Sequence, residues 1–573
     1  MPGPGRIRLE VDRLAARLSS SLPDHLADLL EVAAYVYVAD QVASRGGTRA
    51  FDYGGRWRRR MRLAVPVRRP DLWTRPAVRG GLEAALGFLA DEPWEFHFAP
   101  HPAPPPPDRY LTDQVRLAPG EEFDEVVLFS GGLDSLGGAV DEALVGHRRV
   151  VLVSHRPQNN AYARQRALAD AVTARVPQPD LRPFHVAVAV NRGRAAVDDY
   201  TQRTRSFLFA AVAAIAAQLV GRDRVRFYEN GVTGLNLPVS GELVGALASR
   251  TTHPQTLARF AAFFSALFDR PFAVQNPYQW LTKADVLARL KAHGHADLCA
   301  MTSSCVHTRA LTGGFTHCGR CTQCVDRRLA ALAAGLSDAE DPAAGYRSDV
   351  VTGERAGAEL TLAERYTGFA EEFVGLPTAA AFAARYPEVS RALPYAGGAA
   401  GLGRLFDLYG RHAAGVRAAV RGAVAAHADR IARQAFPANS LLGVVVGRVE
   451  PAGGATAVRR DGAAGPPAGE FAVHPDRFAA AHGGRECFLG NTMEFRVLRL
   501  LWDRRKGYVP VADLMASVWD GRRVEKNTVQ RTVSNLRRKL RDAGLHGVGI
   551  DGDQADHYRV VLAAPAAEPV APA

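Results

Sequence analysis

Between 126 and 276 short apolar runs alternate with longer segments of helical periodicity: "VVLFS" (126–130), "VVLVSH" (150–155), "FHVAVAV" (184–190), "VRFYEN" (225–230) and "FAVQN" (272–276). Continuous apolar strands separated by helix-length segments are the pattern of a parallel sheet covered on both faces, so a doubly wound α/β domain is expected over 119–336. Ahead of it, a helix (24–44), the strand-like "MRLAVPV" (61–67), a helix (79–90) and "WEFHFAP" (94–100) predict a small α+β unit, 1–118. It closes on the stiff polyproline stretch "HPAPPPP" (101–107), and its sequence assigns it no chemistry. Residues 337–450 are Ala-rich and mostly helical in pattern, which predicts a packing scaffold. The Gly/Ala/Pro-rich stretch in 451–484 predicts a flexible connection. Beyond it, "TMEFRVLRLLWDRRKGYVPVADLMASVWDG" (492–521) and "VEKNTVQRTVSNLRRKLRDAG" (524–544) read as short amphipathic helices, and "VGIDGDQADHYRVVL" (548–562) as a hairpin. These define a module at 485–563 with a disordered tail at 564–573.

A chain of 573 residues exceeds what one core supports, in keeping with several domains. Its longest apolar run, "LFAAVAAIAAQLV" (208–220), is too short to span a bilayer and contains Gln218. No charged leader opens "MPGPGRIRLEVDRLAARL", so a cytoplasmic protein without a membrane partner is expected. The formal charge of +12 says little, because only five of the 71 basic residues are lysine, a skew that GC-rich coding produces by itself. "RWRRRMR" (56–62) reads either as a phosphate-binding patch or as a solvated edge strand. Five of the six cysteines fall in 299–324, which points to a metal site in a reducing compartment rather than a disulfide framework.

A strand that ends in a glycine turn and opens a helix aims backbone N–H groups and the positive helix end at one spot. In "SGGLDS" (130–135), Gly131 and Gly132 permit close approach, and Ser130 and Ser135 offer hydroxyls. Asp134 would repel phosphate unless Mg²⁺ stood between them. The other reading of these residues is a strand-to-helix turn capped by Asp and Ser. The stretch resembles the S-G-G-x-D-S loop of the PP-loop ATP pyrophosphatases, which have a HUP-like sheet and cleave ATP between the α and β phosphates. It lacks the Gly-Lys-Ser/Thr of a Walker A loop. That resemblance implies that Ser130, Gly131, Gly132, Leu133, Asp134 and Ser135 hold ATP and its departing pyrophosphate, with Asp134 bringing the metal.

Cys305, Cys318, Cys321 and Cys324, spaced as one Cys, twelve residues and two Cys-x-x-Cys steps, suffice for a closed tetrahedral Zn²⁺ site at the C-terminal edge of the domain. Cys299, His307 and His317 are possible substitutes for one ligand, and Cys487 lies far off. A PP-loop followed by "CGRCTQC" and then Arg327 resembles the QueC family, the 7-cyano-7-deazaguanine synthases. "RSFLF" (205–209) and "NPYQWLTKADVLARL" (276–290) resemble its further motifs, which implies cofactor contact for Arg205 and a catalytic phosphate or acyl-adenylate contact for Lys283. A solvated lysine at a helix start is the other reading of Lys283. The family adenylates the carboxylate of 7-carboxy-7-deazaguanine with ATP, forms an amide with ammonia, and dehydrates it to a nitrile after a second activation. No protein nucleophile is needed, in accord with the absence of cysteine from 119–298. The chain departs from the family at "SHRPQNNAY" (154–162) and "ENGVTGLNLP" (229–238). With its added regions it is more similar to the QueC-like proteins of bacterial anti-phage systems such as QatC, which implies a protein or nucleic-acid acceptor as an alternative to a free base.

The module at 485–563 resembles the winged helix of OmpR/PhoB response regulators, on Glu494, Phe495, Val518, Trp519, Ser534, Leu536, Arg537, Lys539 and Leu540. Val529, Val533, Leu536 and Leu540 would face its core, leaving Gln530, Arg531, Asn535, Arg538 and Arg541 outward on a helix suited to the major groove. Between 485 and 562 fifteen Lys/Arg stand against ten Asp/Glu, a mild positive balance. DNA is one expected partner of this module, and protein docking is the other reading. No receiver domain accompanies it. For the whole chain two functions stand: an adenylating enzyme of deazaguanine chemistry brought to DNA, or a DNA-binding regulator whose PP-loop domain senses a nucleotide.

Overall fold

Five of the apolar runs become the parallel core of one sheet. The computed structural model describes residues 8–12, 22–43, 59–102, 122–155, 159–191, 203–237, 250–306, 314–447, 471–474, 479–482, 485–489, 493–504, 507–518, 526–545, 547–552 and 556–562. The chain divides into two units, Met1–Val449 and Glu450–Ala573. Among the described residues no helix is long and apolar enough to cross a membrane.

The first unit runs β1 (Arg8–Asp12), α1 (Asp24–Val42), β2 (Met61–Val67), α2 (Pro76–Ala90), β3 (Trp94–Pro100), β4 (Glu125–Leu128), α3 (Leu133–Val140), β5 (Val150–His155), α4 (Asn159–Ala174), β6 (Phe184–Asn191), α5 (Arg205–Leu219) and β7 (Arg224–Arg226). It continues through α6 (Pro254–Phe268), β8 (Ala273–Gln275), α7 (Lys283–Ala292), α8 (Thr322–Ala333), α9 (Ala358–Val374) and α10 (Gly398–Ala426), with shorter helical turns between. The six-stranded sheet has the order β1-β6-β5-β4-β7-β8. Strands β4 to β8 are mutually parallel, with Val126 opposite Val151, Val153 opposite Val186 and Val127 opposite Arg226, while β1 is antiparallel to β6. The chain therefore builds outward from β4 through β5 to β6, then returns to lay β7 and β8 on the other side. That reversal leaves a crevice between β4 and β7 at their carboxyl ends, the place where open α/β sheets bind ligands.

The N-terminal segments share their core with the sheet: Trp73, Leu82 and Phe98 belong to the same buried cluster as Val126, Phe207 and Phe263. The cause lies in α5, where every residue from Ser206 to Ala217 is buried. A helix apolar on all faces needs a cover on its outer side as well as the sheet, and α1 is packed against it. Buried charge braces this layer. Arg59 pairs with Asp40 and Glu92, and Arg68 with Asp28 and Glu31. Asp40 also accepts hydrogen bonds from the Thr204 backbone and hydroxyl at 3.0 Å, fixing the start of α5. Of "RWRRRMR", Arg59 is thus consumed internally, while Arg60 and Arg62 pair with exposed Glu95, which leaves the edge-strand reading; residues 56–58 lie outside the described residues. Asp40→Ala should cost about 1 to 3 kcal/mol in a chemical melt, because Arg59 keeps Glu92 but the buried Thr204 donors lose their acceptor.

The second unit contains an antiparallel sheet of β9 (Ala472–His474), β10 (Ala479–His482) and β11 (Arg485–Phe488), then α11 (Met493–Asp503), β12 (Val509–Pro510), α12 (Val511–Val518), α13 (Lys526–Asp542), β13 (Val548–Asp551) and β14 (His557–Leu562). Strands β12, β14 and β13 form the second sheet, the wing of a winged-helix domain. Strands β9 and β10 fall inside 451–484, expected as a flexible connection. They fold there because pairing with β11 and the seating of Phe471 edge-on against Trp502, centroids 4.6 Å apart, supply what their alanines do not. The Pro-rich 103–107, the stretch 451–470 and the tail 564–573 lie outside the described residues.

Candidate functional site

Strand β4 delivers the glycine turn to the crevice. Phe129 still donates to Val153 O at 2.7 Å, then Gly131 turns the backbone at φ 82° and Gly132 stands extended as the N-cap of α3. A Cβ on Gly131 would lie 2.9 Å from Gln165 Cγ, so this position requires glycine for both its dihedral and its space. Ser130 Oγ accepts from Gly132 N at 3.3 Å and lies 3.1 Å from Ser135 Oγ, which donates to Gly132 O at 3.0 Å. No side chain caps α3, and among the described residues the amides of Leu133, Asp134 and Ser135 have no acceptor. Asp134 and Ser135 therefore do not cap the helix, and its first amides are donors that an anion can use. Leu133 contributes only its amide there, since its side chain is in the core.

Around the turn stands a charged constellation drawn from distant segments. Asp134 Oδ2 accepts from Asn230 Nδ2 at 3.0 Å and lies 3.7 Å from Lys283 Nζ, which is 2.7 Å from Asp326 Oδ2. Tyr366 in α9 donates to Asp326 Oδ1 at 2.6 Å. Asn230 is fixed as the cap of the turn Gly231–Leu235. Lys283 opens α7 behind a reciprocal capping box of Thr282 and Asp285, with its side chain only 4% exposed, so it is not the solvated lysine of the alternative reading. Burial alone would lower its ammonium, but Asp326 and Asp134 outweigh burial and hold it above the usual lysine range. Asp134 Oδ1 and Asp326 Oδ2 are both buried without a hydrogen-bond partner, but Asp326 Oδ2 has the Lys283 ammonium 2.7 Å away as an ion pair, so of the two the Asp134 oxygen is the one suited to a hard divalent cation. Glu229, whose carboxylate accepts from the Thr252 hydroxyl, is pushed above the usual range by burial, with the nearby Asp134 charge acting the same way. Arg205 opens α5 as an exposed residue with its guanidinium 5.7 Å from the Phe209 ring.

Asn230, Glu229, Asp326 and Tyr366 escaped sequence reasoning. The 337–450 region, expected only as a scaffold, reaches the constellation through Tyr366. Arg327, in contrast, is wholly buried and braces the fold: it pairs with Asp341 at 2.9 Å and donates to Thr302 Oγ1 and Cys299 O.

Cys305, Cys318, Cys321 and Cys324 converge with their Sγ atoms all within 4.8 Å of one another. Three of the separations are 3.4, 3.8 and 4.0 Å, against about 3.8 Å for a tetrahedron with Zn–S bonds of about 2.3 Å. Amides of Cys318, Arg320 and Cys321 point at these sulfurs at 3.3 to 3.4 Å, as suits thiolates. The donor set therefore fits a structural zinc ion. Cys299 stands apart, its thiol pushed up to about 12 by burial. His317 is occupied by the Ser304 amide and the Thr316 hydroxyl, Cys487 lies in the second unit, and His307 is outside the described residues. Ser303, two residues before Cys305, donates its N–H to Gly131 O at 3.1 Å and so joins this segment to the glycine turn. Elemental analysis should find about one zinc per chain, and Cys321→Ser should lose it. Fresh protein with under half an equivalent, or unchanged zinc in the variant, would contradict this.

In the second unit Val529, Val533, Leu536 and Leu540 are buried, while Gln530, Arg531, Arg538 and Arg541 are exposed and Asn535 is half-exposed. Arg538 Nη2 donates to Asn535 Oδ1 at 3.2 Å. Arg537 turns back instead, donating to Ile550 O at 2.9 Å and so tying α13 to the wing. Lys539 lies 3.7 Å from Glu494, which links two residues of the motif across α11 and α13; Trp519 is outside the described residues. Residues 485–552 match the family model described as "Transcriptional regulatory protein, C terminal". No curated protein matches the chain.

Proposed function

We propose that the Met1–Val449 unit is a QueC-like PP-loop enzyme that adenylates a carboxylic acid with ATP, releases pyrophosphate, and passes the acyl group to ammonia or an amine. The carrying observation is the uncapped start of α3 at the strand-order reversal, with the Asp134 Oδ1 atom free beside it. In this reading the amides of Leu133, Asp134 and Ser135 and the hydroxyls of Ser130 and Ser135 receive the β and γ phosphates of ATP. Asp134 would hold Mg²⁺, which when bound neutralises charge on the departing pyrophosphate. Lys283 supplies a fixed positive charge to the phosphates.

The chemistry needs no protein nucleophile. An acid oxygen bonds to the α-phosphorus as the bond to the bridging oxygen breaks and pyrophosphate departs. The amine nitrogen then bonds to the acyl carbon, AMP leaves with the carbon–oxygen electron pair, and the amine proton goes to solvent. A carboxylate oxygen leaves only once AMP is attached to it, which is why ATP is consumed. Deazaguanine acids are the substrate class implied by the family resemblance, with a bacterial anti-phage setting suggested by the added regions. The winged helix would bring this chemistry to DNA.

Incubation with ATP, Mg²⁺, ammonia and 7-carboxy-7-deazaguanine, followed by mass spectrometry of small molecules and co-expressed proteins, should yield AMP, pyrophosphate and an amide, nitrile or conjugate. Formation of ADP alone, or no ATP cleavage with any such acid, overturns the proposal. ATP binding without cleavage would favour a nucleotide-sensing regulator, the reading that the 485–552 match also permits.

A further inference from the structure

Lys283 is shared unequally between two carboxylates. Its Nζ stands 2.7 Å from Asp326 Oδ2 and 3.7 Å from Asp134 Oδ2, in surroundings where all three side chains are largely buried. In such a place a charge does not go unpaired, and the nearer carboxylate holds it. Asp326 is itself fixed from its other oxygen by the Tyr366 hydroxyl. The Tyr366 ring lies edge-on to His412 of α10, centroids 5.7 Å apart, and burial keeps that imidazole below the usual histidine range.

We infer that Asp326 and Tyr366 are positioning residues that hold Lys283 off Asp134, so that Asp134 stays available to the divalent cation of a nucleotide, and that the helical region is thereby a working part of the site. This rests on the nucleotide reading of the glycine turn. Without the Asp326 charge, the ammonium has Asp134 as its remaining close partner. It would close the 3.7 Å gap and neutralise the carboxylate that the cation needs. The helical region thus contributes an acceptor-independent function through one hydroxyl, Tyr366 Oη.

Manganese serves as the probe. Its dissociation constant is read by electron paramagnetic resonance on the full chain with a non-hydrolysable ATP analogue, and competition by Mg²⁺ is measured alongside. Asp326→Asn should weaken Mn²⁺ binding about tenfold and Tyr366→Phe about threefold, with Asp326→Glu recovering most of the loss. The chain has only five lysines, so amine-reactive labelling with mass spectrometry reports Lys283 directly. It should remain protected in Asp326→Asn, as an ammonium re-paired with Asp134 would. A fall in stability without a change in the Mn²⁺ constant would make Asp326 merely structural and overturn the inference. If Asp326→Asn does not fold, Tyr366→Phe, which removes a single oxygen, decides on the same measurement. Wild-type protein that binds no Mn²⁺–nucleotide at all overturns the nucleotide reading itself; wild-type binding with unaltered variants overturns only the positioning role.

Discussion

Asp134→Ala should fold, keep its zinc and bind to the same extent through its second unit, yet release pyrophosphate from ATP about a hundred- to a thousand-fold more slowly. The fold survives because the substitution sits in the first turn of α3, where alanine is compatible with the helix. No partner is stranded by it. Asn230 Nδ2 retains its bond to Thr233 Oγ1 at 2.9 Å, and Lys283 keeps Asp326 at 2.7 Å. What disappears is the negative charge beside the free amides, and with it the carboxylate proposed to hold the metal. Circular dichroism and elemental analysis should match wild type while a coupled pyrophosphate assay does not. A variant that turns over at the wild-type rate would remove Asp134 from the chemistry and, with it, the PP-loop reading.

The sheet was legible because strands buried on both faces are apolar at every position, as Val126–Leu128 and Val150–Val153 are. Where that condition lapses, so does the signal. β1, "RLEVD", alternates in polarity and is an antiparallel edge, while β9 has only three residues and β10 is largely alanine, both held by pairing rather than by propensity. The independence expected of 1–118 was also not there to find in local pattern. It depends on α5 being buried all round, which is visible in "FLFAAVAAIAA" but says nothing about which segment covers it.

The site divides the same way. "SGGLDS" and the cysteine run are contiguous in sequence, so their chemistry can be read from spacing. The constellation cannot: the Asn230–Asp134 bond spans 96 residues and the Tyr366–Asp326 bond spans 40. Asp326 was hidden beside Arg327 in "CVDRR", where the adjacent basic residue carried the family resemblance while the acid reached Lys283. Helix phase separates them, for neighbours on a helix point to different faces. Arg327 went into the core, and Asp326 into the crevice.

Removing Arg531 and Arg538 together should weaken the binding of the full chain to duplex DNA and leave pyrophosphate release unchanged. Both are exposed on α13, on the face away from Val529, Val533, Leu536 and Leu540, and Arg541 continues that face one turn on. The Arg538 bond to Asn535 arranges a guanidinium beside an amide, a pairing able to meet a phosphate and a base edge together. If these side chains neutralise phosphates, each loss releases about one counterion fewer, so the double variant should bind with a log–log salt slope shallower by roughly two units. Arg537→Ala serves as contrast. It breaks the tie to Ile550 O, so it should destabilise the wing in a melt without shallowing the slope by a phosphate contact. Fluorescence anisotropy across a salt series measures all of these. Wild-type protein whose retention on duplex DNA is indifferent to salt, or a double variant with the wild-type slope, would assign this arginine face to docking a protein instead.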